Sequence, residues 1–268
     1  MKLTIFGTGN ADVTECFNTC FALSEEHRHF LVDAGGGNKI LKVLKDARIP
    51  VEEIHDIFIT HEHIDHLLGV IWLVRIIGQK INQGKYQGEL RIYCHAGLAS
   101  TIRTIAELTI IEKVTRHIGE RILLIPLESG EQKEIIGCPV TFFDIESTKA
   151  KQFGFTMLLP SGTKLSCCGD EPYNECEYEY VKESDWLMHE AFCLYAQRDQ
   201  FKPYEKHHST VKEACELAER LKVPNLILYH TEEKNLKNRK EWYTEEGKQY
   251  YHGNLYVPDD MEVFLIES

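Results

Sequence analysis

Short apolar runs broken by Gly, Asp and Ser recur along the chain at residues 3–6, 17–23, 29–32 and 54–60. More follow at 90–94, 122–125, 140–145, 153–159, 164–168, 186–189, 226–229 and 262–266. Their length and their β-branched and aromatic content predict strands. Helical spacing lies between them. Residues 38–44 place Ile40, Leu41 and Leu44 on one face, and 67–77 is apolar enough for a buried helix. Residues 211–221 form the clearest helix, with Val211, Ala214, Ala218 and Leu221 as its stripe. Thr210 stands as its N-cap with Glu213 three residues on, the spacing of a capping box. The polar tail 232–251 reads as a surface helix. Strands crowd the first two thirds with helices interspersed, which predicts a sheet-on-sheet core with helices outside. No linker or fixed-period repeat interrupts the pattern, so residues 1–268 read as one α/β domain.

Charge narrows the partners. Lys plus Arg is 30 and Asp plus Glu is 42, a net charge of −12. A field of that sign repels nucleic acid and anionic membrane, so a polyanion needs a local basic or metal site. The longest apolar runs fall far short of the roughly 20 residues of a membrane span. The opening Leu3-Thr4-Ile5-Phe6 lacks the layout of a secretory leader. Nine cysteines, an odd number in a chain of this size, point to reduced thiols and a cytoplasmic location.

The chemistry concentrates in Thr60-His61-Glu62-His63-Ile64-Asp65-His66, directly after a predicted strand. His61, His63, Asp65 and His66 are four potential metal ligands within six residues, in a chain of 13 histidines. Imidazole and carboxylate together suit zinc, iron or manganese. Asp170 and His230 each follow a predicted strand as well. Sites in layered α/β sheets gather beyond the carboxyl ends of strands, so all three groups are expected on one edge. Taken singly, Asp170 after a glycine reads as a turn residue; its joint placement argues for a ligand.

The run His61-x-His63-x-Asp65-His66 resembles the signature of the metallo-β-lactamase superfamily. Phe6-Gly7-Thr8-Gly9-Asn10 resembles that family's opening glycine turn, and Leu31-Val32-Asp33-Ala34-Gly35 its second strand end. Cys168-Gly169-Asp170 and Tyr229-His230 resemble its later ligand motifs. Within the superfamily, His208-Ser209-Thr210 at a helix start is most similar to the ribonuclease Z branch, the tRNA 3′-processing endoribonucleases. The resemblance implies an αββα four-layer sandwich and a dinuclear metal-dependent hydrolase. It also implies attack on a phosphodiester or related phosphate ester by metal-activated water. His61 and His63 would hold one divalent ion, Asp65, His66 and His230 the other, with Asp170 bridging. Zinc is expected, with manganese or iron as alternatives. The family supplies a further histidine between the signature and the bridging Asp. This chain has none between His117 and His189, and Glu146 stands in that place as the candidate replacement. Asp65 is expected to orient the nucleophile, and His208 to act as general acid or to stabilise phosphate charge. The Ser209 and Thr210 N–H groups are expected to cradle phosphate.

Other residues receive lesser readings. His189-Glu190 is expected to support the site by hydrogen bonds, His207 to be an exposed neighbour of His208, and His95 to sit in a loop after a strand without approaching the site. Cys167 and Cys168 should point to opposite faces of a strand. Lys149, Lys151, Lys202 and Lys206 flank the site segments and are candidates to receive phosphate, or plain surface. Between Phe155 and Gly169 there is room only for a strand–turn–strand with Ser161-Gly162, not for the basic arm typical of tRNA-binding members. The favoured substrate is therefore a small phosphate ester or nucleotide, with tRNA 3′ processing and an RNA partner as the alternative. A di-iron redox protein and a binding protein with a degenerate site are the remaining classes. The apolar stretch 67–77 could also contribute to a homodimer face.

Overall fold

The computed structural model describes residues 1–266. Among these, two seven-stranded sheets face one another. The first runs, in spatial order, β14 (Val263–Leu265), β1 (Lys2–Gly7), β2 (Cys20–Glu25), β3 (Arg28–Val32), β4 (Ile54–Phe58), β5 (Leu90–His95) and β6 (Ile122–Leu127). The second runs β13 (Asn254–Tyr256), β12 (Asn225–Tyr229), β11 (Trp186–Glu190), β10 (Lys164–Cys167), β9 (Phe153–Leu158), β8 (Cys138–Asp144) and β7 (Gln132–Ile135). The helices are α1 (Lys39–Asp46), α2 (Ile64–Asn82), α3 (Ala96–Thr109), α4 (Glu112–Thr115), α5 (Tyr178–Val181), α6 (Arg198–Phe201), α7 (Val211–Leu221) and α8 (Arg239–Gly247).

Strand alternation builds the layers. In β3, Phe30 and Val32 enter the core between the sheets, where Phe58, Phe142, Phe155 and Met188 meet them. Leu31, on the opposite face, packs with Ile57, Leu67, Val70 and Leu73 under α1 and α2. On the far side, Leu187, Leu226 and Leu228 pack against Val211, Ala214 and Ala218 of α7 and Tyr243 of α8. Helix, sheet, sheet, helix is the expected αββα sandwich of the metallo-β-lactamase type.

Four elements depart from the sequence pattern. The strand expected from residue 17 begins at Cys20, because Phe17 is used in a turn: its N–H donates to Asp260 Oδ2 and its carbonyl accepts from Gly9. The edge strands β7 and β13 carry no apolar run; they form because a neighbouring ladder is available. The helical tail shortens to α8, and Arg239 and Tyr243 on it are buried rather than exposed. No helix among the described residues is long and apolar enough to cross a membrane.

Chain direction places the chemistry. The pairs β3·β4, β10·β11 and β11·β12 are each parallel, so within each sheet the carboxyl ends of these strands emerge on one edge. Asp33, the His61–His66 segment, Asp170 and His230 all follow those ends.

Candidate metal centre

The ligand loop leaves β4 and turns directly into α2. His63 is the N-cap in an extended conformation, and Asp65 and His66 lie in the first helical turn. That turn can sit close to the sheet because position 69 is glycine. A Cβ there would lie 1.8 Å from the carbonyl oxygen of Ala34, while the Gly69 N–H donates to Gly35 O at 2.8 Å. His230 enters from β12 with φ +57, and Asp33 ends β3 with φ +56.

Three imidazoles then converge on one carboxylate oxygen. Nε2 of His61, His66 and His230 lie 3.6, 3.4 and 3.5 Å from Asp170 Oδ2. His63 Nδ1 lies 2.8 Å from His61 Nε2, and Asp65 Oδ2 lies 3.3 Å from His66 Nε2. Two triads of ligand atoms result, His61–His63–Asp170 and Asp65–His66–His230, each with its atoms within 4.8 Å of one another. His63 is half-buried and the rest are buried.

The opposite edge of each ring is tied down, which selects the tautomer. His66 Nδ1 donates to Asp33 Oδ2 at 2.6 Å. Asp33 also accepts the Thr60 N–H at 2.9 Å and the Thr60 hydroxyl at 2.9 Å. That hydroxyl oxygen can in turn accept from His61 Nδ1 at 2.9 Å. The Thr19 hydroxyl, donating to Gly9 O at 3.0 Å, accepts from His230 Nδ1 at 3.2 Å. Each Nε2 lone pair is thereby directed inward, and His66 Nε2 is buried with no hydrogen-bond partner. Inward lone pairs around a carboxylate repel unless a cation lies among them, so this donor set fits divalent metal.

The titration directions agree. Burial alone would push the His66 imidazolium down, but Asp33, Asp65 and Asp170 outweigh it and hold its pKa well above the ordinary value. Burial likewise pushes Asp170 up, and His61, His66 and His230 bring it well below the usual carboxylate range. Asp65 is also held low, the His66 charge outweighing its burial.

Six of the seven expected ligands are thus brought together: His61, His63, Asp65, His66, Asp170 and His230. Glu146 is not among them. Its backbone takes a left-handed turn at φ +55, its N–H donates to Asp144 Oδ1 at 2.9 Å, and its side chain is exposed. The following loop is stapled by Ser147 Oγ to Glu171 Oε1, at 2.7 Å, and by Thr148 Oγ1 with His207 Nδ1, at 3.1 Å. The polar side chain found against the cluster is instead the buried Gln152, whose Nε2 lies 2.5 Å from Asp170 Oδ1 and 3.1 Å from His61 Nδ1. Sequence reasoning missed Thr19, Thr60 and Gln152, and gave Asp33 no role. Asp33 alone carried a signal, as a carboxylate ending an apolar strand before a glycine.

His208 lies at the rim of the cluster. Its ring stacks on Phe192 at 5.0 Å and sits 5.1 Å from that of His230. Its Nδ1 is 3.6 Å from Glu190 Oε2, and both atoms are buried and otherwise unpaired. Burial, reinforced by His230, pushes His208 down to about 3, while burial holds the Glu190 carboxyl well above its usual range. The Ser209 and Thr210 N–H groups do not form the expected phosphate cradle. Ser209 N donates to Glu190 Oε1, and Thr210 N donates to Glu213 Oε2 in the capping box at 2.8 Å. His189 donates from Nδ1 to Glu190 O at 2.7 Å and is not a ligand. His95 reaches the loop only through Glu62 Oε2, at 3.1 Å. Lys151 is paired with Asp144, at 3.3 Å, and Lys206 lies over the Phe192 ring, at 4.7 Å. Lys149 acts electrostatically on His208, Glu190 and His230. Beside His208 opens a cavity of about 450 Å³ lined by Tyr173, His189, Tyr204, Ser209 and Arg220.

The family model for the Anti-Pycsar protein Apyc1 matches residues 1–251. The chain belongs to that family. Among curated proteins, it is 25% identical to a ribonuclease Z of Bacteroides thetaiotaomicron, over 85% of this chain and 84% of that one. Among solved structures, the metallo-β-lactamase fold protein YhfI of Bacillus subtilis superposes with a TM-score of 0.79 at 17% identity, covering 98% of each chain. Human tRNase Z, short form, superposes with a TM-score of 0.77 at 23% identity, covering 100% of each. These likenesses agree with the metallo-β-lactamase fold and with the ribonuclease Z resemblance of the sequence.

Proposed function

We propose that this protein is a metal-dependent hydrolase whose two-ion centre cleaves a phosphodiester or related phosphate ester, most simply with zinc. The observation that carries the reading is the convergence of three Nε2 atoms on Asp170 Oδ2, with the Glu190–His208 pair at its rim. When bound, divalent ions lower the pKa of water and neutralise charge on the phosphoryl oxygens. His61, His63 and Asp170 would hold one ion, and Asp65, His66, His230 and Asp170 the other. Asp65, with one oxygen against His66, has a second available to orient the attacking water. His208, stacked on Phe192 at the rim, is the candidate to protonate the departing oxygen or to stabilise phosphate charge. The metal ions would supply the positive charge that an anionic ester needs against the overall −12.

A small ester or nucleotide fits better than a large RNA. The cavity beside His208 is of small-ligand size. Residues 159–163 join β9 to β10 as a tight turn closed by Leu159 and Thr163, which leaves no room for a basic arm there. The relatives named ribonuclease Z favour tRNA 3′ processing as the second reading. Bis(p-nitrophenyl) phosphate assayed under zinc and manganese, beside a precursor tRNA, separates the two. Metal-dependent turnover of the small ester without precursor cleavage is expected. His208→Ala should lower that turnover about 100-fold or more with metal content intact. Loss of metal in this variant, or full activity, contradicts the assignment of His208.

A further inference from the structure

The two triads have two imidazoles each but differ in burial and in the number of carboxylates. Asp65–His66–His230 is buried throughout and, with Asp170, presents two carboxylates to its ion. His61–His63–Asp170 has only the shared carboxylate, and His63 is half-buried. The support behind the rings differs as well. His66 is backed by the carboxylate of Asp33 at 2.6 Å, which raises its basicity. His61 is backed by the neutral Thr60 hydroxyl at 2.9 Å. The segment that could bring a further ligand to His61 and His63 is turned outward at Glu146 and stapled at Ser147 and Thr148.

We infer that the two metal positions are unequal: the Asp65–His66–His230 position with Asp170 fills first and tightly, and the His61–His63 position is a weaker second site. This rests on the two-ion reading of the cluster but not on its catalytic role. A divalent cation facing two carboxylates gains more Coulomb energy than one facing a single shared carboxylate. Support behind a metal-binding imidazole is worth roughly 10–100-fold in affinity. The two terms act in the same direction, so the constants should differ at least about ten-fold.

Zinc titration of the chelator-stripped full chain against a competing chelator, with native mass spectrometry counting bound ions, reads this directly. Two resolved steps are expected, the one-ion species dominating at one equivalent. Under substoichiometric zinc, the ring resonances of His66 and His230 should shift before that of His63, a test needing no substitution. His63→Ala should lose only the weak step, His230→Ala the tight one, and Glu146→Ala neither. Two ions entering with one common constant overturn the inference, as does His63 shifting first or loss of an ion in Glu146→Ala. If the titration behaves as expected but the loaded protein hydrolyses no phosphate ester, the catalytic reading fails while this one stands.

Discussion

His66 Nδ1 and Asp33 Oδ2 share a hydrogen bond of 2.6 Å between the first turn of α2 and the end of β3. Asp33 accepts from the Thr60 N–H and hydroxyl too, so one carboxylate fixes both the ring of His66 and the start of the ligand loop. Replacing it by alanine leaves these donors buried without a partner, at about 1–3 kcal/mol each. Asp33→Ala should therefore lower zinc affinity by roughly 10–100-fold. Chelator competition measures the change, and an unaltered constant would show that the ring is oriented by something else.

Metal binding should release protons. Asp33, Asp65 and Asp170 overcome burial to keep His66 protonated well above its ordinary pKa, and a ligating Nε2 must give that proton up. Zinc affinity should consequently rise with pH through neutrality and fall on acidification, as protons compete. Calorimetry in buffers of different ionisation enthalpy counts the protons displaced; a heat independent of buffer contradicts the scheme.

Glu177 provides a second pH dependence, away from the cluster. Buried beside Cys168, with Oε2 unpaired, it is pushed by burial from the ordinary 4.5 up to about 8. A raised folded pKa means that the native state binds the proton more tightly. Stability from this group is present in full below pH 4.5 and declines as pH rises to about 8. The span corresponds to roughly 3–5 kcal/mol. Glu177→Gln, whose amide oxygen can still accept the Asn174 N–H, should flatten the decline and raise the melting temperature at pH 8. Denaturation of both proteins across that window tests it, parallel curves being the contrary result.

Gly69 is where α2 touches the loop after β3. A Cβ would collide with the Ala34 carbonyl, a backbone atom that cannot swing aside. Gly69→Ala should cost about 1–3 kcal/mol and, by displacing Asp65 and His66, also weaken zinc binding. Thermal unfolding and zinc titration on the same preparation check both effects; a stable variant with normal affinity would mean that the helix can shift freely.

Much of this was legible beforehand because it is local. Runs of β-branched and aromatic residues marked most of the strands that bury side chains on both faces, and Thr210 with Glu213 placed α7 at Val211–Leu221. The edge strands β7 and β13 were not legible, since their pairing is decided by neighbours distant in sequence. Glu146 shows the same limit. Its position along the chain matched the missing histidine, but the left-handed turn and the staples to Glu171 and His207 depend on contacts with distant segments. The expected phosphate cradle failed for a related reason, because Glu190, 19 residues away, already accepts the Ser209 N–H.

What the sequence determined by itself was the sandwich and six side chains that it carries to one cluster. Clustered imidazoles after a strand and carboxylates at strand ends are patterns of composition and spacing. Only the tertiary structure decided which side chains converge and what holds each ring. It brought Thr19, Asp33 and Gln152 against residues 18 to 211 positions away. Hydrogen-bond direction and burial belong to atoms in space, and no one-dimensional pattern encodes them.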